Sequence, residues 1–82
     1  MIQIIRETTT GGLSMFELAT EKKSAFISVS SRTGLVTVCC HNAANRVWRG
    51  MGRTFQSWDD AMNGYKSSDM KAMIEYAKLQ TA

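Results

Sequence analysis

Along the first half of the chain, apolar and polar residues alternate with a period of two. SAFISVS, residues 24 to 30, sets Ala25, Ile27 and Val29 on one side and Phe26, Ser28 and Ser30 on the other. LVTVCCH, residues 35 to 41, sets Val36, Val38 and Cys40 against Leu35, Thr37, Cys39 and His41. SMFELAT, residues 14 to 20, places Phe16 and Leu18 on one face, and IQIIRET, residues 2 to 8, is β-branched. Successive side chains of a strand point to opposite faces, so this alternation predicts four strands, about 2–8, 14–20, 24–30 and 35–41. The connections are short and polar: TTTGG, then EKK at 21 to 23, then SRTG at 31 to 34, where Gly34 can take a left-handed conformation. Such spacing builds an antiparallel β-meander with one face left wet.

After His41 the period changes. Ala44, Val47, Trp48 and Met51 recur at helical spacing, with Asn42 able to cap the start and Gly50 and Gly52 able to end the turn. This permits a short helix over 43–51, or an extended continuation of the fourth strand. Ser57-Trp58-Asp59-Asp60 approximates a capping box, and Trp58, Ala61, Met62 and Tyr65 form an apolar stripe, which predicts a helix over 57–64 ended at Asn63-Gly64. Met70, Met73, Ile74 and Ala77, with Leu79 near the end, predict a last helix over 68–79. Lys71 and Glu75 stand four apart, where they can pair, and Lys78 suits the helix C-terminus. Strands first and helices afterwards define an α+β domain, with two or three short helices packed on one sheet face.

The chain has 82 residues, which makes one small domain over 1–82. Its hydrophobic content of 44% excludes a disordered tail. No apolar stretch approaches the roughly 18 residues a membrane span needs, and the N-terminus lacks the pattern of a signal peptide. A cytoplasmic protein without a membrane partner is the expectation. Cys39 and Cys40 are adjacent, so on a strand their thiols diverge, and reduced thiols are expected.

Net charge is +3. It concentrates in NRVWRGMGRTFQSW, residues 45 to 58, within a run from 41 to 58 that contains no acid. Arg46, Arg49 and Arg53 follow i, i+3, i+7 spacing, so on a helix they share a face. Guanidinium groups so placed hold carboxylates or phosphates bidentately, and an exposed Trp48 would serve as an anchor. Arg46, Trp48, Arg49 and Arg53, with Lys66 as a rim charge, are therefore the candidate partner-binding residues. The bland reading of the same stretch is a junction between sheet and helices, with Trp48, Phe55 and Trp58 filling the core.

Other chemistry is poorly supported. A thiol enzyme on Cys39 or Cys40 with His41 would need a base in contact. Cys39 and His41 share a strand face but stand roughly 6.5 Å apart along the chain. Adjacent cysteines on opposite faces do not converge on one metal. TTTGGLS and RGMGRTF match no phosphate-loop pattern. Asp59 and Asp60 diverge on a helix and serve its cap and dipole, and Met62, Met70 and Met73 read as core. No cofactor is expected.

The layout resembles small accessory proteins of bacteria, phages and mobile elements in size and architecture only, which does not define a function. The expectation is a small non-enzymatic accessory or regulatory binding protein that docks a basic surface on an acidic protein partner. The alternative is a single-stranded nucleic-acid binder using the open sheet face, with Phe26, Arg32 and Thr37 turned outward. The β-branched first strand lies at a sheet edge and carries little charge, which favours a homodimer through that edge.

Overall fold

The computed structural model describes residues 2–42 and 52–81, without the side chains of His41 and Asn42. Its order is β1 (Gln3–Thr10), β2 (Leu13–Ala19), β3 (Lys23–Ser30), β4 (Val36–Asn42), β5 (Arg53–Phe55), α1 (Trp58–Asn63) and α2 (Ser68–Thr81). The strands form one antiparallel sheet in chain order, β1-β2-β3-β4-β5. The α+β meander with following helices is thus present, with a fifth strand in addition. Arg53–Phe55 pairs with Val36–Val38 and uses backbone groups that would otherwise stay open along β4. Three residues are too few for alternation to show, so this strand left no periodic trace. The helix expected over 43–51 lies outside the described residues.

Local chemistry explains the turns. Gly11 and Gly12 both have positive φ, 58° and 82°. A two-residue hairpin whose twist matches its strands needs that combination, and glycine adopts it without strain. Gly34, at φ 74°, closes the β3–β4 turn by donating its N–H to the Ser30 carbonyl at 2.8 Å.

The core follows the alternation. Phe16, Leu18, Ala25, Ile27, Val29, Val36 and Val38 are buried on one face, against Ala61, Met70, Met73, Ile74 and Ala77 of the helices. Burying each large side chain contributes about 1.5–3 kcal/mol. Two expected members of this layer lie outside it. Leu79 is 62% exposed, on the side of α2 turned from the sheet. Cys40 is exposed, one step along β4 beyond the last core residue, Val38.

Both helices begin on a serine cap. Ser57 Oγ accepts from the Asp60 N–H at 3.1 Å, and Ser67 Oγ accepts from the Met70 N–H at 3.3 Å. Lys71 does not serve the pairing with Glu75 that its spacing offers. Its Nζ donates to the Met62 carbonyl at 2.6 Å, at the end of α1. Lys78 lies 3.7 Å from Asp59, so the two helices are also joined at their opposite ends. The Thr20 hydroxyl donates to Asp69 Oδ2 at 2.6 Å and accepts from the Lys23 N–H at 3.1 Å, which ties the β2–β3 turn to the start of α2.

β1 is covered least. Ile4 and Ile5 are 48% and 43% exposed, and the register shifts between Ile4 and Arg6, leaving Ile5 as a bulge. The strand is held to the helices from the side. Tyr76 stands edge-on to Phe16, and its hydroxyl donates to Glu7 Oε1 at 3.2 Å.

Candidate functional site

The meander has two ends, and they differ in charge. One end collects the β2–β3 turn, the close of β4, the opening of β5, the end of α1 and the start of α2. Among the described residues it carries Lys22, Lys23, Arg53, Lys66 and Lys71, against the carboxylates of Glu21 and Asp69. Asp69 is occupied by Thr20. Asn42 and Gly52, which flank residues 43–51, both belong to this end. Gly52 lies so close to β4 that a Cβ there would stand 2.8 Å from Cys39 Sγ.

Arg53 is the best defined of these cations. On the helix-facing side of β5, its guanidinium carbon sits 5.0 Å from the Phe55 ring centre and 5.2 Å from that of Tyr65. The two rings stand 6.0 Å apart at 60°. Nη1 donates to the Gly64 carbonyl at 2.9 Å. α1 has no basic residue in its own last turn. Arg53 and Lys71 therefore supply the positive charge at the end of this six-residue helix, on Gly64 and Met62. The side chain remains exposed. Four of its five N–H donors lie outside the Gly64 hydrogen bond. Lys66, the next residue after Tyr65, is exposed as well.

Of the candidate residues, the structure thus brings Arg53 and Lys66 to one corner, on either side of Tyr65. Arg46, Trp48 and Arg49 lie outside the described residues. Sequence reasoning missed Phe55 and Tyr65 as the platform for Arg53. It also missed how long the acid-free stretch is. No Asp or Glu occurs from Lys22 to Trp58, and six of the ten basic residues fall within it. A count of carboxylates along the chain would have shown this. That stretch builds β3, β4 and β5, three neighbouring strands.

The Cys40 thiol is not activated. Partial burial pushes the Cys40 thiol above its ordinary range, and Lys23 offsets this only in part. Burial likewise pushes the Tyr65 phenol up, with Arg53 pulling against it. A nucleophilic cysteine needs the opposite shift. Among the described residues, no group of three His, Cys, Asp or Glu side chains could hold a metal ion. Among them, too, no helix is long and apolar enough to cross a membrane.

The face turned from the helices holds Met15, Glu17, Phe26, Ser28, Thr37 and Cys39. Phe26 and Thr37 are there as expected, but Arg32 sits in the β3–β4 turn and not on that face. Glu17 stands directly opposite Phe26 in the register.

Compared with models of protein families, with curated proteins and with solved structures, the chain matches none.

Proposed function

We propose that this chain is a small, non-enzymatic accessory or regulatory protein of the cytoplasm that docks its basic end on an acidic surface of a protein partner. The observation that carries the reading is the placement of charge. Of the thirty-seven residues without a carboxylate, 22–58, the described part builds three adjacent strands, and its Lys22, Lys23 and Arg53 stand with Lys66 and Lys71 at one end, while Arg32 lies in the β3–β4 turn at the other. A carboxylate-bearing partner approaching that end meets little competing negative charge. Arg53 adds preorganisation. A guanidinium already held against two rings and a carbonyl loses less rotamer freedom on binding than an extended side chain does.

Nucleic acid is the weaker reading, because Glu17 faces Phe26 on the sheet surface that would have to stack bases. Fluorescence anisotropy with labelled poly-L-glutamate and a labelled single-stranded oligonucleotide separates the two. Binding to poly-L-glutamate is expected, weakened by salt and reduced several-fold by Lys66→Ala together with Arg53→Gln. Retention of the oligonucleotide alone, with a steep salt slope, would transfer the proposal to nucleic acid. Binding of neither probe at low salt would end it. We extend the proposal to a homodimer joined through β1, supported by its eight-residue exposed edge with Ile4 and Ile5 uncovered. Sedimentation of the wild-type chain at dimer mass, with Ile5→Lys at monomer mass, is the expected result. A wild-type monomer at high concentration would exclude it.

A further inference from the structure

At the opposite end of the meander a groove of about 610 Å³ lies between the strand ends and the helices. Its walls come from the close of the β1–β2 hairpin, the β3–β4 turn, the start of α1 and the end of α2. No lining residue has an ionisable side chain, in a chain of which 21% is charged. We propose that this groove binds a neutral, polyhydroxylated ligand, of saccharide chemistry.

The functional groups present match such a ligand and disfavour others. Trp58 is half-buried. It packs partly on the core and also lines the groove, so it offers an apolar ring surface to the C–H face of a sugar. Ser30 Oγ accepts from the Arg32 N–H at 3.3 Å, and Ser57 Oγ accepts from the Asp60 N–H at 3.1 Å. Each hydroxyl is oriented by that bond and keeps its own proton to donate. Gln56 and Gln80 add two carboxamides, each a donor and an acceptor on the same plane. A sugar hydroxyl is likewise donor and acceptor at once. A phosphate or carboxylate would find no cation in this lining, and an ammonium group would find no carboxylate. Of the charged neighbours in sequence, Asp59 beside Trp58 and Lys78 two residues before Gln80 pair with each other at 3.7 Å, and Arg32 beside Ser31 is exposed in the β3–β4 turn and is not among the lining residues. The volume lies in the range of small-molecule sites.

This site is independent of the basic end, and salt distinguishes the two. An uncharged groove binding an uncharged ligand is indifferent to ionic strength, whereas docking at the basic end is not. The test is a titration of the ¹⁵N-labelled protein with glucose, N-acetylglucosamine and maltotriose, with glucuronate and inorganic phosphate as charged controls. Saturable shifts are expected at the Trp58 indole N–H and the Gln56 and Gln80 amide groups with at least one neutral sugar, unchanged between low and high salt. Gln80→Ala and Ser30→Ala, both outside the core, are each expected to weaken binding about 5- to 10-fold, one hydrogen bond's worth. No saturable shift at these residues with any of the three sugars would overturn the proposal. So would shifts that follow the charged controls, or an affinity unmoved by both substitutions.

Discussion

Gly64 offers the sharpest test of the corner that holds Arg53. It ends α1 in a right-handed conformation, φ −76° and ψ −9°, which alanine adopts without strain. Backbone entropy alone would therefore make Gly64→Ala stabilising by about 0.4–1 kcal/mol. The space around it argues the other way. A Cβ at this position would lie 2.6 Å from Phe55 Cε1 and 2.8 Å from Cζ, where carbon atoms settle at about 3.5–4.0 Å. The ring must retreat by about 1 Å, away from the guanidinium and the Tyr65 ring that it packs against. Overpacking of this kind costs about 1–3 kcal/mol, so the sum is a destabilisation centred on about 1 kcal/mol and reaching about 2.6 kcal/mol. In a domain of this size each kcal/mol moves the thermal midpoint by roughly 4–8 °C. Thermal and urea unfolding followed by circular dichroism would measure it on Gly64→Ala, Phe55→Leu and the double variant. Leucine lacks the two ring atoms in question, so the double variant is expected to be more stable than additivity allows, by about 1 kcal/mol. A Gly64→Ala protein as stable as the parent, or strictly additive costs in the double variant, would refute the reasoning.

Three further outcomes follow from particular contacts. Ser24 is buried and its Oγ has no hydrogen-bond partner among the described residues, so Ser24→Ala is expected to raise stability by about 1 kcal/mol in urea unfolding. Thr20→Val removes the donor to Asp69 and the acceptor for the Lys23 N–H, and is expected to cost about 1–3 kcal/mol, read in the same assay. The third concerns alkaline pH. Cys40 and Tyr65 both hold their protons more tightly in the folded state, chiefly through burial, so the unfolded chain ionises first as pH rises. Their contribution is present below the ordinary thiol and phenol range and is lost as pH climbs through it. The thermal midpoint should fall from about pH 9 upward. Iodoacetamide should label Cys40 more slowly than a free thiol near neutral pH, and faster labelling would contradict the assignment.

Much of the architecture was legible from local rules. Alternation placed Ile27 and Val38 inward because a strand's period of two leaves no other arrangement once one face is oily. The spacing of Met70, Met73, Ile74 and Ala77 marked the inner face of α2 in the same way, and Ser57 marked the start of α1 because serine satisfies an unpaired N–H. Gly11-Gly12 announced a hairpin because only glycine takes that geometry freely. The limits of this local logic appear where a residue's partner is distant in sequence. Lys71 had Glu75 within reach on its own helix, yet its ammonium donates to the bare carbonyl of Met62, an end-of-helix acceptor brought to it where α1 and α2 meet. Arg53 looked like one of three equivalent surface charges. The short strand Arg53–Phe55 placed it against Tyr65 and Gly64 instead, and no periodicity can be read from three residues.

The same division separates the two ends of the molecule. Charge belongs to the residues themselves, so the acid-free stretch from Lys22 to Trp58 is a property of the sequence alone. That Lys22, Lys23 and Arg53 of this stretch share one end with Lys66, while Arg32 sits at the other beside a groove lined by hydroxyls and amides from four separated segments, was decided only in three dimensions. An antiparallel meander brings alternate turns to the same end, and residues tens of positions apart become neighbours there through backbone pairing that no local pattern encodes.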